Sequence, residues 1–67
     1  MTKLEKEWIE RCKSEKDDLI IIVDNDCAYV VDLSSGDCGE CVFEFEHYGW
    51  KLALDLFQLM GCNAEEA

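Results

Sequence analysis

Three β-prone runs follow one another between positions 19 and 46, joined by connections too short for a crossover, and this spacing limits the fold more than any other feature of the chain. Leu19 to Val23 is a branched aliphatic run, and Asp24-Asn25-Asp26 after it carries turn chemistry. Cys27 to Leu33 places Cys27, Tyr29, Val31 and Leu33 on one face and Ala28, Val30 and Asp32 on the other. Ser34-Ser35-Gly36-Asp37 reads as a loop. Cys41 to Glu46 then alternates, with Cys41, Phe43 and Phe45 inward and Glu44 and Glu46 outward. Parallel pairing needs a connection of a dozen or more residues, so the three runs are expected to form an antiparallel meander.

Helical patterns flank these runs. Thr2 followed by Glu5 is a capping-box pair, in which hydroxyl and carboxylate each satisfy a backbone N–H of the first turn. Leu4, Trp8 and Cys12 recur every fourth residue with Ile9 beside them, which predicts an amphipathic helix over Thr2 to Glu15. Trp50 to Met60 places Leu52, Leu56, Leu59 and Met60 at helical spacing with Ala53 and Phe57 adjoining, and Gly61 is the stop. The expected fold is a small α+β domain of order α-β-β-β-α, one domain over residues 1–67, with Asn63 to Ala67 frayed. Ile20, Ile22, Ala28, Val30 and Val42 make a second apolar strand face. Either the two helices take opposite faces of the sheet, which is the expectation for self-contained layers, or another subunit or a partner buries that face.

With 49% apolar residues and no proline, the chain is compositionally globular, although a chain of 67 residues buries only about 60% of its unfolded surface. Its longest uninterrupted apolar run, Leu19 to Val23, is far short of a membrane span, and no basic-then-apolar signal opens it. A cytoplasmic protein is therefore expected, of a bacterial host if phage-encoded. Five cysteines are an odd number, which suits free thiols better than a secreted disulfide framework.

Charge is distributed unevenly. The net charge of −10 is the sum of a first 16 residues at +1 and a remaining 51 residues at −11, in which Lys51 is the one basic residue against 12 carboxylates. Such an excess steers a protein toward positively charged partners, and anionic membranes and nucleic acids repel it. It also lies beyond the magnitude of about 2 to 8 that suffices for solubility in a small domain.

Motifs for catalysis are sparse. Cys38-Gly39-Glu40-Cys41 has C-x-x-C spacing, but a structural zinc site needs four ligands, and Cys12, Cys27, Cys62 and His47 form no second pair. A thioredoxin-type dithiol opens a helix after a strand, whereas this motif precedes a strand, so incidental proximity is the expectation. His47 has no nucleophile or carboxylate placed beside it by pattern, and there is no glycine-rich phosphate loop, nucleophile elbow or HExxH. The chain is expected not to be an enzyme and to need no cofactor or metal.

The carboxylates carry the remaining signal. Glu44 and Glu46 stand about 6.8 Å apart along one strand face, Asp32 lies on the neighbouring strand, and Asp24, Asp26, Asp37 and Glu40 decorate the turns. DNA presents one phosphate per about 3.4 Å of each strand, so a rigid surface of carboxylates can engage a basic channel built for it. Small size, strong acidity, reduced cysteines and absent catalytic motifs together resemble phage-encoded inhibitors, the anti-CRISPR and anti-restriction proteins, several of which mimic DNA. The resemblance implies an inhibitor that blocks the basic nucleic-acid-binding surface of a defence complex through those seven carboxylates; the charge excess itself argues against direct binding of nucleic acid or membrane, and a monomer is favoured over a homodimer. Ala28-Tyr-Val-Val-Asp32-Leu33, Val42-Phe-Glu-Phe-Glu-His47 and Ala53, Phe57 and Leu59 are similar to the later half of SUKH-superfamily domains. That resemblance implies an immunity or adaptor protein binding a basic partner; a small zinc-stabilised binding module is the remaining alternative.

Overall fold

The computed structural model describes residues 2–24, 27–34, 39–45 and 50–67, of which 50–53 are described in backbone only. Its elements are α1 (Lys3–Ser14), β1 (Leu19–Val23), β2 (Ala28–Asp32), β3 (Glu40–Phe45), α2 (Trp50–Leu59) and β4 (Ala64–Glu66), an α+β domain with one mixed sheet of order β3-β2-β1-β4. The expected antiparallel meander is present, with Val23 opposite Ala28 and Ala28 opposite Phe45.

The tail departs from expectation. Instead of fraying, it forms β4, which runs parallel to β1 with Ala64 opposite Ile21 and Glu65 opposite Ile22. Backbone bonds from Ile21 N–H to Asn63 O and from Ala67 N–H to Val23 O, both 2.8 Å, hold its two ends. The Gln58 side-chain amide donates to the Ala64 carbonyl at 3.1 Å and braces it from α2. Since β3 and β4 are parallel and lie at opposite edges, α2 is the crossover that carries the chain over the sheet between them.

Both helices lie on one side of the sheet, not on opposite sides. Ile9 and Cys12 of α1 and Phe57 of α2 share one buried cluster with Leu19, Ile21, Val23, Ala28, Val30, Phe45 and Ala64. Trp8 stacks on Phe43 with ring centroids 5.4 Å apart, Phe43 meets Phe45 edge-on at 5.1 Å, and Phe45 contacts Phe57 at 5.4 Å, so an aromatic chain ties α1 through β3 to α2. The register also corrects the face assignment: Ile20 and Ile22 share a face with Val31 and Tyr29, while Ala28 and Val30 lie on the helix-covered face. A β-bulge is the cause of the third correction. Val30 opposes Phe43 but Val31 opposes Cys41, leaving Val42 as the extra residue, so Cys41 points away from the side that Phe43 and Phe45 occupy.

The helix ends follow the sequence closely. Thr2 N–H donates to Glu5 Oε1 at 2.7 Å and Glu5 N–H to Thr2 Oγ1 at 3.1 Å, completing the capping box. Inward-facing residues of α1 are Glu5, Ile9 and Cys12, with Leu4 exposed. At the other helix, Gly61 N–H bonds Gln58 O and Cys62 N–H bonds Phe57 O, each at 3.0 Å, with Gly61 at φ +92°, a Schellman ending. A Cβ at Gly61 would meet nothing nearer than Lys16 Nζ at 3.9 Å, so the cost of a side chain there is conformational. Gly61→Ala is expected to lower stability by about 1–2 kcal/mol, read as a lower urea midpoint at unchanged slope.

Candidate binding surface

The sheet face away from the helices is apolar at its centre and no described helix covers it; there Ile20 is buried and Ile22, Tyr29 and Val31 are half-buried. Cross-strand partners share a face, so the register reads it out in rows. One row runs Glu44, Tyr29, Ile22, Glu65 from β3 to β4, and the next runs Cys41, Val31, Ile20 and then Asn63 at the start of the β4 pairing. Leu33, 45% exposed, extends the apolar stripe past the end of β2. A concavity on this face is lined by Ile20, Ile22, Tyr29, Val31, Leu33 and Glu65 among others, and among the described residues no basic side chain lines it. At one corner Gly39, at φ +69°, lies so close that a Cβ would stand 2.6 Å from Val31 Cγ1. The chain can pass here only because position 39 lacks a side chain.

Of the seven carboxylates singled out by sequence, Asp26, Asp37 and Glu46 lie outside the described residues. Asp24 and Glu44 are both exposed and lie toward the β1–β2 turn. Asp32 and Glu40 oppose each other at the far end of the β2–β3 ladder, where like charges in register repel. Three residues of strand, about 10 Å, separate the rows of Glu44 and Asp32, and the two carboxylates leave opposite faces of the sheet. Ser34 stabilises the ionised Asp32: its Oγ donates at 2.6 Å and its N–H at 2.8 Å to Oδ1, holding the carboxyl below the ordinary aspartate range.

Arg11 and Lys13, two of the four basic residues of α1, are paired with carboxylates of that helix and its C-cap. Arg11 Nε pairs with Glu15 at 3.1 Å and Lys13 with Glu10 at 3.3 Å, and the Arg11 guanidinium stands 4.4 Å over the Trp8 ring. Exposed pairs of this kind contribute about 0–1 kcal/mol each, and the Arg11 charge also reaches Asp32 of the sheet, where it favours the ionised carboxylate.

Glu65 is the surface residue that sequence reasoning missed, because its placement depends on β4. Cys41, expected inward, is exposed on this face, and its C-x-x-C partner Cys38 lies outside the described residues, as does His47. Among the described residues no three His, Cys, Asp or Glu side chains converge as metal ligands, and Cys12, Cys41 and Cys62 are free thiols. No helix among the described residues is long and apolar enough to cross a membrane. Comparison of the chain with family models, with curated proteins and with solved structures finds no match.

Proposed function

We propose that the chain is a non-catalytic inhibitor that occupies a basic surface of a partner protein, of the kind a defence complex uses to hold DNA or RNA. The observation that carries this reading is the row Glu44–Tyr29–Ile22–Glu65, apolar at its centre and anionic at both edges, on a domain whose last 51 residues carry −11. An apolar centre gives a partner something to bury, and the surrounding carboxylates select for positive charge and speed encounter. Strict phosphate mimicry asks for a continuous run of carboxylates. A mixed surface, partly apolar and partly anionic, fits the described face better.

The test is capture of the partner from a bacterial lysate on the immobilised chain, followed by affinity measurement at 50 and 500 mM NaCl and competition with duplex DNA. The affinity is expected to fall at least tenfold across that range, since ions compete for both surfaces, and duplex DNA is expected to displace the chain. An affinity indifferent to salt, with no competition by DNA, overturns the reading.

A further inference from the structure

We propose that the sheet face that no described helix covers is a docking site for an amphipathic helix with basic flanks, seated along β1 and β2 between Glu44 and Glu65. The proposal rests on the reading that the partner is basic and adds the shape of the element that binds.

Its argument is one of width and charge. The two carboxylates stand on the outermost strands, three strand spacings apart, which is about 14 Å. Half-buried Ile22 and Tyr29, with half-buried Val31 and buried Ile20 in the next row, fill the two central strands between them, and exposed Leu33 extends the stripe. An α-helix with its side chains is about 10–12 Å across, so one helix covers the apolar stripe and leaves both carboxylates at its flanks. Lysine or arginine at those flanks can bury its aliphatic stem on the stripe and carry its charge to Glu44 or Glu65. A helix here also completes a third layer, giving a sheet covered on both faces.

The charges distinguish this occupant from a second copy of the chain. A second copy brings its own Glu44 and Glu65 to the same interface, together with another −10, whereas a basic helix meets opposite charge at both edges.

The experiment titrates the intact ¹⁵N-labelled chain with a synthetic 14-residue leucine–lysine peptide of helical period, and with a peptide of the same composition in strict alternation. Two double variants change the charge equally: Glu44→Lys/Glu65→Lys at the proposed rim, and Glu7→Lys/Asp55→Lys on exposed positions of the two helices. The helical peptide is expected to shift the amides of β1, β2, Glu44 and Glu65 and to bind more tightly than the alternating one. The rim variant is expected to lose at least tenfold in affinity and the helix variant less than threefold. Equal losses in both variants, or shifts mapping to the helices, overturn the docking site while leaving a basic partner intact as a reading. If neither peptide binds, or if binding of the helical peptide is indifferent to salt, both are overturned. A dimer of the unliganded chain in light scattering that Ile22→Asp dissociates shows that a second copy fills this face, and also overturns the proposal.

Discussion

Phe57→Ala is expected to lower the stability of the chain by about 3–5 kcal/mol, while Leu59→Ala, two positions on in the same helix, leaves it as stable as the parent within about 0.5 kcal/mol. Phe57 is 1% exposed and touches Phe45 in the aromatic chain that joins α2 to the sheet, whereas Leu59 is 83% exposed. Truncating a buried phenylalanine costs about 3–5 kcal/mol, because the transfer energy is lost and the surrounding side chains close the cavity only partly. A domain of this length has a total stability of roughly 3–10 kcal/mol, so that loss removes about a third of it or more. Cys62 makes the site harder to relax, since it bonds back to the Phe57 carbonyl and sits in the same cluster. Urea unfolding followed by far-UV circular dichroism decides the matter. If Leu59→Ala destabilises as much as Phe57→Ala, α2 presents a different face to the sheet and the layer arrangement described above is wrong.

That pair of residues also marks where the sequence stopped being readable. The leucine spacing of α2 says that a helix forms but not which stripe turns inward, because Leu56, Leu59 and Met60 make as good an apolar row as Phe57 does, and packing against β1 and β4 chooses between them. Local chemistry was legible to the residue: the Thr2–Glu5 box and the Gly61 stop depend only on near neighbours. The bulge at Val42 was not, since nothing in Cys41-Val42-Phe43 signals an extra residue until β2 is laid beside it, and it reverses the direction of Cys41. The segment Asn63 to Ala67 has no β-branched residue, so its strand comes entirely from the free edge of β1 and the crossover by α2. The candidate surface divides in the same way. Glu44 was readable as outward from alternation, but Glu65 becomes its counterpart across the sheet only once β4 is in place.

Raising the pH from 9 to 12 is expected to destabilise the parent far more than a Cys12→Ala variant. Cys12 is fully buried, and its thiol is pushed from 9.0 up to about 12, first by burial and then by the neighbouring Cys62, with Arg11 partly opposing. Cys62 is displaced in the same direction, mainly by burial, and its Sγ lies 3.8 Å from the Ile9 carbonyl on the turn of α1 that carries Cys12. Below pH 9 both folded and unfolded chains hold the Cys12 proton, and the thiol gives stability no pH dependence. Between 9 and 12 the unfolded chain releases it while the folded chain keeps it, so stability falls with pH at about 1.4 kcal/mol per unit, at most about 4 kcal/mol over the interval. Ionisation of the thiol also adds negative charge to a molecule already at −10, in the layer that joins α1 to the α2–β4 connection. Cys12→Ala itself costs about 1 kcal/mol at neutral pH through lost burial, so the parent is the more stable protein at pH 7 and the two curves converge or cross in alkali. Urea midpoints at pH 7, 9, 10 and 11 under reducing conditions measure this directly. Parallel curves for the two proteins above pH 9 would show that Cys12 does not hold its proton in the folded chain, and that the contact between α1 and the α2–β4 connection is open to water.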